Sequence, residues 1–252
     1  MLERERERER ERGFTLVELS IVLVVVALII GGILMGKDLI KAAEIRAAAS
    51  QLLQYESAYR TFQTKYNCTM GDCPNATAFF GSNYTSYGCT TTSAVGNGNG
   101  NGLIDHCDGS GNSAGWDKES NQASDSLQLA NLLPTSLTTP CAYTAPMFKG
   151  INDSCAYFFH DDLYFKIPSI NINSITWASP NFLGNVNSGA LSPIQARLID
   201  EKIDDGKPTT GKFRGLDVTA VGSIVFTTNS CSTSGAYNLN ENYTCRSVYY
   251  FK

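Results

Sequence analysis

Residues 13–35 read GFTLVELSIVLVVVALIIGGILM, and this stretch decides how the rest of the chain is organised. It is long enough to cross a membrane, because about 20 apolar residues in a helix span the ~30 Å hydrocarbon core. Glu18 is its one charged residue. A secretory signal peptide is the alternative, but such signals have a shorter apolar core that ends at a small-residue cleavage site. Here the apolar run continues into a helical pattern, which favours a membrane-spanning helix over residues 14–36.

Residues 37–66 continue this helix with one apolar stripe. Apolar and aromatic residues recur there at spacings of three, four or seven, namely Ile45, Leu52, Tyr55, Tyr59, Phe62 and Tyr66. The opposite face carries charged side chains, including Lys41, Glu44 and Glu56. This periodicity predicts an amphipathic helix with one buried face.

Residues 67–252 are rich in Asn, Ser, Thr, Gly and Tyr, which is typical of short strands joined by polar loops. Several segments alternate apolar and polar residues and predict a sheet with one buried face: 156–159, 163–167, 175–178, 216–219, 223–227 and 247–251. Further helices are predicted at 125–133, before Pro134, and at 190–204, before a turn at 205–208. The predicted fold class is α+β, with the long N-terminal helix, half transmembrane and half amphipathic, packed on an antiparallel sheet.

Every cysteine follows the apolar segment, and their even number predicts disulfides in an oxidising compartment. Zinc is the competing interpretation, but the chain has no C-x-x-C pair of the kind common in structural zinc sites. Pairing neighbours along the chain predicts four bridges: Cys68 with Cys73, Cys89 with Cys107, Cys141 with Cys155, and Cys231 with Cys245.

The net charge of −4 gives no basic footprint for nucleic acid. Residues 111–115, GNSAG, match the G-x-S-x-G pattern of serine hydrolases, but that pattern needs a strand before it and a helix after it. Here it lies in a polar, glycine-rich segment, and neither His106 nor His160 is placed by any recognisable catalytic pattern. We therefore predict that the chain is not an enzyme and needs no cofactor, with calcium as the one ion to consider.

Residues 97–108 follow the spacing of a calcium-binding loop. Asn97, Asn99 and Asn101 occupy its first, third and fifth positions, Asp108 its twelfth, and Asp105 lies between them. The pattern departs from the usual one because its first ligand is not Asp and its last is not Glu. A flexible Gly/Asn loop remains the alternative. Asp200, Asp204 and Asp205 form a second, weaker acidic cluster.

The order Gly13-Phe14-Thr15-Leu16-Val17-Glu18 before an apolar run resembles the processing signature of type IV prepilins and type II secretion pseudopilins. The resemblance implies that an aspartyl peptidase in the membrane cleaves between Gly13 and Phe14 and methylates the new amine of Phe14. Residues 1–13 would then be a leader that is removed. This leader departs from the usual basic pattern, because it consists of five Glu-Arg repeats after Met1-Leu2.

Glu18 is placed by the same resemblance in an assembly contact. A carboxylate inside a bilayer costs about 2.5–3.5 kcal/mol on insertion scales, so it requires a partner. Cleavage supplies an amine at Phe14, one helical turn before Glu18. Glu18 can neutralise this amine of its own chain or that of a neighbouring subunit, and the resemblance favours the neighbour. The alternative is that Glu18 only complements the positive end of its own helix.

Two further segments, 65–77 and 200–211, resemble elements of a pilin-like subgroup. The first is a KYN-x-x-PGD-type helix exit in which Met70 replaces the usual proline and two cysteines are added, and the second is an ID-x-KIDDG-x-P-x-x-G element. Together these matches imply a structural subunit of a type IV pilus or type II secretion pseudopilus with a pilin fold. The implied location is the inner membrane, with residues 67–252 outside the cytoplasm, and later a periplasmic or extracellular filament. The implied partners are the prepilin peptidase, other subunits, an inner-membrane assembly platform and the lipid bilayer. A minor subunit with an adhesive or ligand-binding ectodomain and a membrane-tethered enzyme are the alternatives.

Overall fold

The computed structural model describes residues 14–81, 97–104, 118–133, 151, 154–160, 172–178, 190–217, 231–240 and 245–251. The chain divides into two compact units between Ala43 and Glu44, so the first part of the long N-terminal helix belongs to one unit and its second part to the other. The larger unit contains the sheet and the remaining helices.

Helix α1 covers Leu16–Tyr66, as the uninterrupted helical pattern predicts. Its buried residues in the larger unit include Ile45, Leu52, Tyr55, Tyr59 and Phe62, which confirms the predicted stripe. Tyr59 stacks on Phe251 with ring centroids 4.3 Å apart, and Tyr55 meets Phe158 edge-on at 6.1 Å. The second half of α1 therefore packs on the sheet through aromatic side chains, which bury large apolar areas.

Three shorter helices follow: α2 (Ala76–Phe80), α3 (Lys118–Leu129) and α4 (Pro193–Ile203). The sequence did not predict α2. The predicted helix at 125–133 exists as α3, but it begins at Lys118 and ends at Leu129, because Asn131 adopts a left-handed backbone with a φ of 57°. The N–H groups of Leu132 and Leu133 then turn back to the carbonyl of Leu127, which closes the helix before Pro134.

Helix α4 confirms the helix predicted at 190–204 and shortens it at both ends. Ser192 is its N-cap, and a capping box joins Ser192 and Gln195, with Pro193 in the first turn. A cap and a proline at these positions fix where a helix begins.

A four-stranded antiparallel sheet consists of β1 (Cys155–His160), β2 (Asn173–Ala178), β3 (Phe213–Asp217) and β6 (Cys245–Tyr250), in the spatial order β1-β2-β6-β3. Strands β4 (Ser232–Thr233) and β5 (Ala236–Tyr237) form a separate small hairpin. The fold class is α+β, as predicted, with disulfides in the larger unit.

Four of the six predicted strands can be compared with the sheet. Segments 156–159, 175–178 and 247–251 correspond to β1, β2 and β6, while 216–219 overlaps β3, which begins earlier at Phe213. Segments 163–167 and 223–227 lie outside the described residues. The expectation of one buried face is wrong for β6, where all six residues are buried, including Arg246 and Ser247. It is also wrong for β2, where Ser174 and Thr176 are as fully buried as Ile175. Polar residues in these two strands therefore do not mark a solvent-facing side.

Candidate functional site

The start of α1 is organised by Thr15 and Glu18. The backbone N–H and the hydroxyl group of Thr15 both donate hydrogen bonds to Glu18 Oε2, each at 2.8 Å. In return, the backbone N–H of Glu18 donates to Thr15 Oγ1 at 3.2 Å. These reciprocal bonds form a capping box, in which a T-x-x-E sequence satisfies donors that the first helical turn leaves open. The carboxylate also complements the positive end of the helix dipole.

The apolar side chains that follow lie on the surface of their own unit. Phe14 and Leu16 are each 86% exposed, and Val26 is still 44% exposed. Among the described residues, α1 is the one helix long and apolar enough to cross a membrane, and none of its most apolar window is buried. A continuous apolar surface of this kind marks a region that meets lipid or another protein.

The start of α1 lies within a recognised sequence signal. The family model for the prokaryotic N-terminal methylation motif matches residues 8–34. The chain carries the type IV prepilin-type signal. No curated protein and no solved structure matches the chain. The signal supports a precursor of type IV pilin or pseudopilin type, and an apolar N-terminal helix fits a membrane-anchored precursor.

The prepilin-type signal also bears on partners and on catalysis. It implies processing by a peptidase and assembly with other pilin subunits, and it suggests a structural protein instead of a catalytic one. Phe14 is the first described residue, whereas Gly13 and the Glu-Arg repeats lie outside the described residues. The cleavage and methylation sites remain predictions from the sequence.

Three of the predicted calcium ligands lie in a loop that is stabilised by hydrogen bonds, namely Asn97, Asn99 and Asn101. The side-chain oxygen of Asn97 accepts bonds from the N–H and hydroxyl of Thr77 at 3.0 and 3.2 Å. Those of Asn99 and Asn101 accept the N–H groups two residues further on, each at 2.8 Å. The other two predicted ligands, Asp105 and Asp108, lie outside the described residues, so calcium binding here stays a prediction.

Asp72 binds the same loop through hydrogen bonds. The sequence did not predict this role. Its carboxylate accepts the N–H of Gly100 through Oδ1 and that of Gly102 through Oδ2, both at 2.6 Å. Asp72 is 1% exposed. It lies in the segment 65–77 that resembles a pilin-like helix exit, but its partners are about thirty residues away, so no local pattern reveals them.

The element at 200–211 forms a tight connection between α4 and β3. Asp204 Oδ2 accepts the N–H groups of Lys212 and Phe213. Asp205 accepts the N–H of Lys207 and the hydroxyl group of Thr210, and these bonds lower the pKa of Asp205. The motif therefore forms the turn that the sequence predicts and also brings its acidic side chains together.

Disulfides join Cys68 to Cys73 and Cys231 to Cys245, the same pairs that sequence proximity predicts. Cys155 is also disulfide-bonded. The remaining cysteines, Cys89, Cys107 and Cys141, lie outside the described residues, so their predicted pairings stay predictions. The hydrolase-like segment 111–115 and His106 also lie outside them, and His160 is described only by its backbone at the end of β1.

Proposed function

We propose that this chain is a structural subunit of a type IV pilus or a type II secretion pseudopilus. It enters the inner membrane through residues 14–36, is cleaved after Gly13 and methylated on Phe14, and polymerises through its N-terminal helix. The observation that carries this proposal is the position of Glu18, an acid engaged at the start of an otherwise apolar and exposed helix, five residues after the predicted cleavage site.

Cleavage would leave the backbone nitrogen of Phe14 as a terminal amine, directly before the capping residue Thr15. Glu18 Oε2 is already engaged by Thr15, whereas Oε1 accepts no hydrogen bond among the described residues. One carboxylate can therefore cap its own helix through one oxygen and meet the amine of an incoming subunit through the other. In apolar surroundings this attraction is poorly screened and strong enough to select a partner. Methylation keeps the positive charge on the amine.

Processing is tested by intact mass spectrometry of the mature protein purified from its native host. We expect the chain to begin at Phe14 and to carry one added methyl group. A mature protein that begins elsewhere, or that retains the leader, contradicts the proposal.

The charge of Glu18 is tested separately from its capping role by Glu18→Gln. Glutamine also completes a capping box, so the helix start is preserved while the negative charge is lost. We expect sheared filaments to disappear while the precursor still accumulates in the membrane. Asp38→Asn, an equal change at an exposed acid further along α1, should leave filaments intact. Normal filament yield from Glu18→Gln would mean that Glu18 serves only as a cap.

A further inference from the structure

The pair Asn-Gly occurs three times in succession at residues 97–102. Asparagine followed by glycine is especially prone to deamidation, because glycine has no side chain to obstruct attack by its backbone nitrogen. That nitrogen attacks the side-chain carbonyl carbon of the asparagine and ammonia leaves, which forms a cyclic imide. Water then opens the ring to aspartate or isoaspartate. Since the three pairs share the same local chemistry, differences in their reactivity must come from the fold.

The backbone of this loop requires its glycines. Gly100 and Gly102 have φ values of +77° and +87°, which side chains disfavour. A Cβ atom at Gly98 would overlap the backbone of Asp72. The fold therefore cannot avoid reactive pairs here by replacing the glycine of each pair with a larger residue.

The side-chain carbonyl groups of the three asparagines are polarised by hydrogen bonds. Oδ1 of Asn99 accepts the N–H of Asn101, and Oδ1 of Asn101 accepts the N–H of Leu103, each at 2.8 Å. Oδ1 of Asn97 accepts two bonds from Thr77, at 3.0 and 3.2 Å. A donor at a carbonyl oxygen stabilises the negative charge that develops there during attack. Deamidation in this loop is therefore controlled by the attacking nitrogen.

The three attacking nitrogens have different acceptors. The N–H of Gly100 donates to Asp72 Oδ1 and that of Gly102 to Asp72 Oδ2, both at 2.6 Å. The N–H of Gly98 donates instead to the neutral carbonyl of Cys73, at 2.9 Å. The nitrogen must lose its proton to react, and beside a carboxylate this loss places two negative charges next to each other. Asp72 is 1% exposed, so water screens this repulsion poorly.

We propose that Asp72 protects Asn99 and Asn101 from deamidation by binding the two backbone nitrogens that would attack them. Asn97 lacks this charged acceptor and is the most reactive of the three in the folded chain. The protection uses no residue of the apolar helix, so it holds whether or not the chain forms filaments.

Protection matters because this loop connects α1 to the sheet. Asn173, on β2, donates from Nδ2 to the hydroxyl group of Tyr59 at 3.0 Å and to the carbonyl of Gly102 at 2.8 Å. Its Oδ1 accepts the N–H of Ile104 at 2.8 Å. Isoaspartate at position 101 would add one methylene group to the backbone directly before these contacts. Deamidation there would therefore weaken the link between the helix and β2.

The test follows deamidation of the full-length chain in detergent, incubated in mildly alkaline buffer and digested with trypsin at intervals. Lys65 and Lys118 bound the tryptic peptide that contains all three pairs. Electron-transfer fragmentation of this peptide assigns each product and distinguishes isoaspartate from aspartate. Unfolded in urea with its disulfides reduced, the chain should react at nearly equal rates at the three pairs. In the folded chain, Asn99 and Asn101 should react about tenfold more slowly than Asn97, because their nitrogens donate to a charged acceptor.

Asp72→Asn removes the charge and one acceptor oxygen while keeping the size of the side chain. We expect Asn99 and Asn101 to react about tenfold faster than in the unaltered chain, and Asn97 to change little. Glu119→Gln is the matched control. Glu119 Oε1 also binds this loop, but it accepts the N–H of Asn99 at 3.3 Å, a nitrogen that follows a glycine and so attacks no asparagine. This variant should leave the three rates as they are.

Three results would overturn the proposal. The first is equal rates at the three pairs in the folded, unaltered chain, a comparison that needs no variant and stays decisive if Asp72→Asn does not fold. The second is slower deamidation in Asp72→Asn, which would make the carboxylate a base that removes the proton. The third is equal acceleration of all three pairs in an Asp72→Asn chain that keeps its melting transition, or the same acceleration in Glu119→Gln. Opening of the loop, and not the acceptor of each nitrogen, would then control the reaction.

Discussion

The hydroxyl group of Tyr249, on the last strand of the sheet, donates a hydrogen bond to the carboxylate of Glu56 on the N-terminal helix. Lys212 Nζ lies 3.1 Å from the same carboxylate, whose side chain is only 16% exposed. These polar contacts connect α1 to the sheet, in addition to the aromatic contacts described above. Hydrogen bonds to a charged acceptor are stronger than neutral ones, particularly when they are shielded from water.

Replacing Glu56 by Ala should lower the free energy of unfolding by about 2 kcal/mol, because a charge-assisted bond and the partner of Lys212 are lost together. Urea unfolding of the full-length chain in detergent, followed by fluorescence, measures this. Glu44→Ala removes an acid of the same helix that forms no side-chain hydrogen bond or ion pair with any described residue, and it should change stability by less than about 0.5 kcal/mol. Equal effects of the two substitutions would contradict a specific role for Glu56.

The same cluster predicts a pH dependence. Burial alone would raise the pKa of Glu56, but the bonds from Tyr249 and Lys212 and the charges of Lys212 and Arg60 outweigh it and hold the pKa below its ordinary value of 4.5. A depressed pKa in the folded state contributes stability that is present above 4.5 and is lost as the pH falls through the folded-state pKa. The stability difference between the unaltered chain and Glu56→Gln should therefore shrink below pH 4.5. A difference that stays constant down to strongly acidic pH would rule out this linkage.

The contacts of Glu56 are not contained in any local sequence pattern, whereas the apolar stripe of the same helix is. The stripe containing Leu52, Tyr59 and Phe62 could be predicted, because helical periodicity is local and each member is apolar. Helical periodicity places Glu56 on the polar face. Its partners Lys212 and Tyr249 are 156 and 193 residues away along the chain, so the pattern does not reveal them. The end of α3 differs from the prediction for another reason. The helical pattern continues to Pro134, but Asn131 adopts a left-handed backbone and ends the helix at Leu129.

The candidate sites also contain some features that the sequence predicts and others that it does not. The T-x-x-E start of α1 is visible in the sequence, because a capping box is defined by residues three apart. The clustering of Asp200 with its neighbours could be suspected from their spacing at a helix end. The burial of Asp200 and its bond to Tyr237 depend on how the small hairpin packs, which no pattern within 200–211 contains.

Gly211 allows Asp204 to approach the backbone that precedes β3. A Cβ atom at Gly211 would overlap Asp204 Oδ2, and the backbone there has a φ of +77°. Gly211→Ala should therefore lower the free energy of unfolding by about 2–4 kcal/mol, the sum of left-handed strain and broken hydrogen bonds to Asp204. Gly235→Ala is the matched control, since its φ is +82° but no atom of the described residues lies within 4 Å of the added methyl group. It should lose only the strain, about 1–2 kcal/mol. Equal losses would mean that the contact with Asp204 is unimportant.

The two described disulfides should differ in their effect on stability. Cys231 and Cys245 are 14 residues apart, whereas Cys68 and Cys73 are 5 apart. In the chain-entropy model, closing these loops contributes about 3 and about 2 kcal/mol, respectively. Replacing both cysteines of a pair by serine, one pair at a time, should therefore lower the melting temperature more for the Cys231–Cys245 pair. Cys245 also exchanges backbone hydrogen bonds with residues 190 and 191, including one of 2.7 Å from its N–H to the carbonyl of Leu191. The disulfide therefore holds β6 at the point where it contacts the segment before α4. A smaller decrease for the Cys231–Cys245 pair than for Cys68–Cys73 would show that strain or residual structure, and not loop length, decides the contribution of each bond.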